Sequence, residues 1–254
     1  MAYRLLLLFL LTGFLAGAQF PYHPLQKQAI APGLLRTKKI TRLFVFEEGE
    51  PATLRHFAEF NSAGLLITEG EKQADGADTN LVSAVYYTYN AKHQLTRLVR
   101  YEAEEDLRIV TTIQYNSSGR RIRKQSAEID PPTYTYTYEP DGKLSSVLVT
   151  QRMPDERERA VDVRTYAYRY RYDGKGRISE EWQYALREDP KMQTPSGKMI
   201  WAYDEKGRVA SLQRVREDGS EDWKETYSWS AEGLIQSATI TRDDVTTVYR
   251  YEYR

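Results

Sequence analysis

The feature that most constrains this chain is a seven-residue unit that recurs along it. The unit reads aromatic, Asp or Asn, two variable residues, glycine, a polar residue, then an apolar one. Tyr172-Asp173-Gly174-Lys175-Gly176-Arg177-Ile178 is the clearest copy, and Tyr203 to Val209, with Asp204 and Gly207, repeats it. Tyr138 to Leu144 carries Glu139 in the second place. Tyr115-Asn116-Ser117-Ser118-Gly119-Arg120 keeps the first part but puts Arg121 where the apolar residue belongs. Phe60 to Leu66 and Trp229 to Ile235 exchange the aromatic, and Tyr89 to Leu95 has His93 for glycine. The anchors at 60, 89, 115, 138, 172, 203 and 229 are separated by 29, 26, 23, 34, 31 and 26 residues. A recurring interval of this size is the signature of a repeat architecture.

The unit has a physical reading. An Asp or Asn side chain can accept hydrogen bonds from the backbone just ahead of it and start a turn. Glycine three residues later takes the positive φ that closes a short hairpin loop. His tolerates positive φ better than a branched residue, so His93 is read as a turn residue under some strain. The flanks alternate with period two. Tyr166, Tyr168, Tyr170 and Tyr172 interleave with Thr165, Ala167, Arg169 and Arg171, and Tyr249, Tyr251 and Tyr253 alternate with charged residues. Such alternation of aromatic and β-branched residues predicts half-buried strands.

The predicted fold is all-β: an antiparallel hairpin-repeat meander forming a long curved or spiral sheet. Single hairpins are unstable in water, so the units must pair with one another. Seven hairpins give about fourteen strands, a width at which a twisted sheet curls or closes. No amphipathic helix is evident after residue 18. Residues 41–254 are assigned to the repeat domain, with the first strand near Thr41 to Phe46. Residues 19–40, with Pro21, Pro24 and Pro32, form an arm or cap. Glu69 to Thr79, Pro154 to Glu158 and Asp189 to Gly197 lack alternation and read as loops.

These motifs resemble the YD-repeat (RHS-repeat) family of exported proteins, most specifically at Tyr172 to Ile178 and Tyr203 to Val209. Large members build a β-strand shell around a toxin or a cell-surface adhesion module, so the resemblance implies a curved or spiral sheet. The shell proteins also carry an Asp-Pro core motif followed by glycine. Here Asp130-Pro131 and Asp189-Pro190 are followed by Pro132 and Lys191.

The ends and the composition bear on compartment and partner. Residues 1–18 carry Arg4, the apolar run Leu5 to Leu11, then Ala16-Gly17-Ala18, the order of a secretory signal cleaved before Gln19. The expected location is exported, periplasmic or extracellular, in a bacterium. Cysteine is absent, which removes disulfides, thiol nucleophiles and thiolate metal sites. With 36 basic and 36 acidic residues the chain has no long-range field for nucleic acid or anionic membrane. Arg120 to Lys124 and Glu102 to Asp106 read as solvated strand faces or loops.

The search for chemistry yields little. His23, His56 and His93 lie in unrelated contexts without metal-ligand spacing. No nucleophile elbow or phosphate-binding glycine loop occurs. Neighbouring carboxylates such as Glu180 and Glu181 point to opposite faces of a strand and cannot flank one substrate. No catalytic residue, cofactor or metal is therefore assigned. The aromatics are the remaining candidates. Regular recurrence assigns the turn tyrosines to the packed inner face. Trp182, Tyr184 and Trp223 are the candidate ligand-binding residues, Trp223 being the expected exposed aromatic. The expected function is a non-catalytic binding or scaffold protein whose partner is a glycan or a cell-envelope protein. The alternatives are an outer-membrane β-barrel and a polysaccharide hydrolase.

Overall fold

The computed structural model describes residues 32–49, 53–75, 78–127, 132–154, 160–186 and 193–254. The signal segment 1–18 and residues 19–31 of the arm lie outside the described residues. A short helix, α1 (Pro32–Thr37), precedes sixteen strands. These are β1 (Arg42–Glu47), β2 (Thr53–Phe60), β3 (Leu66–Asp75), β4 (Asp78–Tyr89), β5 (Leu95–Glu102), β6 (Leu107–Tyr115), β7 (Arg121–Ser126) and β8 (Thr133–Tyr138). They continue as β9 (Leu144–Pro154), β10 (Ala160–Tyr172), β11 (Ile178–Leu186), β12 (Gln193–Tyr203), β13 (Val209–Arg216), β14 (Glu221–Trp229), β15 (Ile235–Arg242) and β16 (Val245–Tyr253).

Each strand pairs antiparallel with its neighbours in sequence, and β16 pairs with β1, so the meander closes into a barrel. The all-β expectation is met, and the sheet closes. There are two strands more than the seven motif hairpins supply. They are β1 and β16, which meet where an eighth turn would stand. At that seam the amides of Thr41 and Arg42 both donate to the carbonyl of Arg254, at 2.9 and 2.8 Å.

The seven motif turns share one geometry and all lie at one end of the barrel. In each, the residue after the aromatic accepts from the amide of the positive-φ residue, as Asp173 does from Gly176 at 2.9 Å. The φ values are 76, 58, 80, 92, 76, 81 and 91° at Gly64, His93, Gly119, Gly142, Gly176, Gly207 and Gly233. His93 adopts the left-handed conformation expected of it. The side chains of Asp173 and Asn116 accept from the amides of Arg177 and Arg120, both at 2.9 Å. Every return strand then carries a bulge: Arg171 faces Glu180 but Tyr172 faces Ile178, leaving Ser179 as the extra residue. The extra residue twists the strand, and the same device recurs at all seven turns.

The anchor aromatics tie each hairpin to the one before it. Tyr89 donates its hydroxyl to the Leu66 carbonyl (2.8 Å), Tyr115 to Leu95 (2.8 Å), Tyr172 to Leu144 (2.7 Å) and Tyr203 to Ile178 (2.7 Å). Trp229 substitutes its indole N–H, bonding Val209 at 2.9 Å, and Tyr253 bonds Ile235 at 2.9 Å. Tyr138 sits against the backbone of Arg121 in the same way. The acceptor is always the first residue of the return strand, whose carbonyl lies beside the bulge. Phe60 has the start of β1 as its neighbour, and it packs instead in a cluster with Leu35, Ile40 and Leu43.

Opposed residues of an antiparallel pair share a face, so the register divides the wall. The tyrosine stripes point inward. Tyr134, Tyr136, Tyr168 and Tyr170 form one core with Val147, Val149, Met199, Trp201 and Leu212. A second core joins β1–β3, β15 and β16 with Leu35 of α1, which is 1% exposed. That helix covers the turn end. Its Pro32 carbonyl lies where a Cβ on Gly64 would stand, and Lys38 pairs with Glu232 of the β14–β15 turn at 2.8 Å.

Three sequence expectations are corrected. Glu69 to Thr79 is not a loop: Leu66–Asp75 and Asp78–Tyr89 are strands, and only 76–77 lie outside the described residues. Gly70 is accommodated because the ring of Phe57 lies over it. Of the other two predicted loops, Pro154 ends β9 and Gln193 to Gly197 belong to β12; residues 155–159 and 187–192 lie outside the described residues. Gly197, at φ 143°, sits at the bulge opposite Gln183 and Tyr184, against the Val215 carbonyl. Finally, the basic run Arg120 to Lys124 is not wholly solvated. Arg121 and Lys124 turn inward, 9% and 2% exposed, over the rings of Tyr136 (5.4 Å) and Tyr134 (4.3 Å). The aromatic faces stabilise the buried cations.

Candidate functional site

The three candidate aromatics do not come together. Trp182 opposes Arg169 and Lys198, and Tyr184 opposes Ala167, so both are on the outer face of the wall. Trp223 opposes Arg214, which opposes Met199 of the core, so Trp223 points inward. It is half-buried and packs against the inner cluster with Tyr227. The bulge at Asp222 sets this register.

Around Trp182 the outer face of β10–β12 is tightly organised. The indole N–H donates to Glu180 at 2.8 Å. Lys198 and Arg171 donate to the same carboxylate at 3.1 and 3.2 Å. Both cations also lie over the indole, Lys198 at 4.7 Å and Arg171 at 5.2 Å from the ring centre. Arg169 lies over Tyr184 at 4.8 Å. Three donors on Glu180 outweigh its partial burial and hold its carboxyl below the usual range. The rings and cations are thus fixed relative to one another by Glu180.

At the barrel end opposite the motif turns, Trp223 stands between Arg214 and Arg242 in register. Asp222 beside it gathers Arg216 at 2.7 Å, Arg214 at 3.3 Å and Arg242 at 3.9 Å. Acidic residues of the adjoining connections, Glu217, Asp218, Asp243 and Asp244, balance these arginines.

Inside the wall, glutamates are matched with tyrosines. Glu69 accepts from the Tyr87 hydroxyl, Glu181 opposes Tyr170 in register, and Glu225 stands beside Tyr227. Burial pushes Glu181 and Glu225 up to about 7, with the neighbouring hydroxyls pulling the other way. Burial, then Arg55, pushes His56 down to about 4; its Nδ1 is 3.9 Å from Glu71. Glu71 and Glu102 both oppose Ser83 and so share one inward row, a carboxylate pairing invisible to adjacency along the chain. No group of three His, Asp or Glu that could hold a metal occurs among the described residues.

The other predicted residues have structural roles. Tyr115, Tyr172 and Tyr203 are the hydroxyl ties; Asn116, Asp173 and Asp204 accept within the turns; and Gly119, Gly176 and Gly207 supply positive φ.

No family model matches this chain, and no curated protein matches it. Solved structures do. A porin-like protein from Bacteroides uniformis superposes with a TM-score of 0.51 at 14% identity, covering 85% of this chain and 98% of that one. The chain shares the fold of this porin-like protein. A porin-like protein from Bacteroides vulgatus matches at 10% identity and TM-score 0.45, over 85% and 98% of the two chains. The TcdB2-TccC3 structure matches at 12% identity and TM-score 0.27, over 76% of this chain and 12% of that one.

Proposed function

We propose that this protein is an exported, non-catalytic binding or scaffold β-barrel that works in water rather than in a bilayer. The observation that carries this reading is the chemistry of the outward face. Thr133, Thr135 and Thr137 of β8, Ser237, Thr239 and Thr241 of β15, and Arg169 and Arg171 of β10 all share the outer side of their strands. A lipid-facing wall needs an apolar band on that side, and each midplane Arg would cost about 2–4 kcal/mol. The tyrosine stripes of β8 and β10 face inward, as in a water-soluble protein that buries its own core, and the outward aromatic row of Phe44, Phe57 and Tyr101 is confined to β1–β5. The signal-like segment at residues 1–18 and the YD-type turns support export and a repeat scaffold. The porin-like fold neighbours from Bacteroides are compatible with a bacterial envelope location.

The non-catalytic part rests on the inner carboxylates. Glu69, Glu181 and Glu225 are each matched with a tyrosine, and the one inward carboxylate pair described, Glu71 and Glu102, lies two strands apart across Ser83. Cell fractionation tests the reading: the protein should be released by osmotic shock or found in the medium. Extraction only by detergent would transfer the assignment to a membrane barrel.

A further inference from the structure

We infer that the inner side of β14–β16 is a binding site for a primary alkylammonium group, with Glu225 as its counter-ion and the hydroxyls of Tyr227 and Tyr251 as further acceptors. The inference rests on the binding-protein reading above and names its ligand class.

Unpartnered oxygens are the first support. Glu225 is 2% exposed and Tyr251 6%. Among the described residues, Glu225 Oε1 and the Tyr251 hydroxyl are buried without a hydrogen-bonding partner. The Tyr227 hydroxyl lies beside the same carboxylate without meeting hydrogen-bond geometry. Buried polar atoms in this state are rare and call for a partner. The three oxygens belong together, since Glu225 acts electrostatically on both phenols and Tyr251 acts on Tyr227. A primary ammonium carries three N–H donors and no acceptor, so it matches three such oxygens one for one.

Charge is the second support. Other inward carboxylates have basic neighbours: Glu47 has Arg55 at 2.7 Å, Glu102 has Arg100 at 3.2 Å, and Glu181 has Arg214. Glu225 has none among the described residues, and its neighbours are tyrosines. A buried carboxylate is costly until a cation joins it, and tyrosine faces attract an ammonium in their own right.

Access is the third support. Tyr227 opposes Ala238, which opposes Tyr249, so the two tyrosines stand on alternate strands of one inward row. They are about 10 Å apart with a single methyl between them. Both are half-buried although they stand mid-strand on the inner side, so the surface they expose is lumenal. Tyr249 also opposes Glu47. Burial first, then Glu47, raises its hydroxyl, Arg55 opposes, and Glu225 and Glu71 add to the rise. Arg55 offsets Glu47, which leaves Glu71, 53% exposed, to draw a cation inward. Since α1 covers the turn end, the way in is from the opposite end. A slender free amine can follow it, whereas a lysine on a folded partner cannot reach so deep.

The test is isothermal titration calorimetry of the purified protein with n-pentylamine at pH 8, where Glu225 is largely ionised. The comparison probes are 1-pentanol, tetramethylammonium chloride and potassium chloride. Saturable binding of pentylamine, weakened at least tenfold in Glu225→Gln and in Tyr251→Phe, is the expected result, read on variants whose far-ultraviolet spectra match the wild type. Absence of binding by the wild type, or equal binding by folded Glu225→Gln, overturns the proposal. Should Glu225→Gln not fold, Tyr251→Phe decides alone, because it removes one oxygen and keeps the ring; equal binding there overturns the proposal too. Pentanol bound as tightly as pentylamine overturns the cation, and tetramethylammonium bound as tightly overturns the match to three N–H donors. Potassium displacing the amine at equal concentration overturns it in favour of a metal cation. None of these outcomes bears on the fractionation result, so the two readings fail separately.

Discussion

The hydroxyl of Tyr203 donates to the carbonyl of Ile178, 2.7 Å away and twenty-five residues earlier in the chain. Between them lies the whole β11–β12 connection, so a turn residue of one hairpin secures the bulge of the preceding one. This explains why the anchor position takes tyrosine, or Trp229 with its N–H, rather than any large apolar residue. Removing the hydroxyl in Tyr203→Phe keeps the packing but leaves a carbonyl without its donor. We expect a loss of about 1–2 kcal/mol, read as a shift in urea midpoint. Tyr172→Phe should behave alike, and Phe60→Tyr should gain nothing, because Phe60 abuts the seam. Unchanged midpoints in both tyrosine variants would dismiss the tie as a source of stability.

His93 holds φ at 58° where the other six turns have glycine. A left-handed non-glycine residue is strained by about 1–2 kcal/mol, partly offset by the entropy glycine loses on folding. His93→Gly should therefore raise stability by about 0.5–1 kcal/mol, and Gly176→Ala should lower it by about 1–2 kcal/mol. Thermal melts of the two variants should move in opposite directions.

Gly64 is required for a second reason. A Cβ there would meet the Pro32 carbonyl oxygen at 2.1 Å. Gly64→Ala should dislodge α1 as well as strain the turn, costing more than Gly176→Ala. Amide exchange at Lys38 and Ile40, whose N–H groups bond Leu34 and Leu35, should accelerate in the first variant and not in the second.

Glu181 and Glu225 give the barrel an inverted pH response. Their folded pKa of about 7 lies above the ordinary 4.5, because burial disfavours the charged form. The folded state then retains protons that the unfolded chain has released. The associated stability is complete below about pH 4.5 and declines as pH rises to about 7, by of order 2 kcal/mol per group. His56, lowered from 6.5 to about 4, acts oppositely between those values. Two carboxylates outweigh one imidazole, so the protein should unfold at lower urea at pH 8 than at pH 5. Glu181→Gln/Glu225→Gln should flatten that difference. A wild type more stable at pH 8 would contradict the account.

What the sequence disclosed was local. An Asp that caps its own turn, a glycine three residues on and a period-two stripe act within a few residues, so turns and strands could be read directly. The ties from Tyr172 to Leu144 or Tyr203 to Ile178 join different hairpins and leave no mark in either motif alone. Arg121 and Lys124 look like a solvated basic run until Tyr134 and Tyr136 on the next strand supply ring faces. The side on which Trp223 falls depends on the bulge at Asp222, and a bulge reverses the alternation without altering composition. Closure depends on Leu43 meeting Tyr253, a pairing between opposite ends of the chain. For the candidate surface, Trp182 and Tyr184 were evident as residues, whereas the cations that frame them come from β10 and β12.

The seam between β1 and β16 also sets the order of assembly. Every other strand can pair with a neighbour made just before it, but one edge of β1 stays open until Val245–Tyr253 exists. A chain leaving a translocation channel from its N-terminus would carry that open edge for nearly its whole passage. Contacts of such sequence separation form slowly, and an unpaired edge recruits other chains. Loss of residues 245–254 should thus affect the oligomeric state before it affects the hairpins, with shortened chains found joined edge to edge.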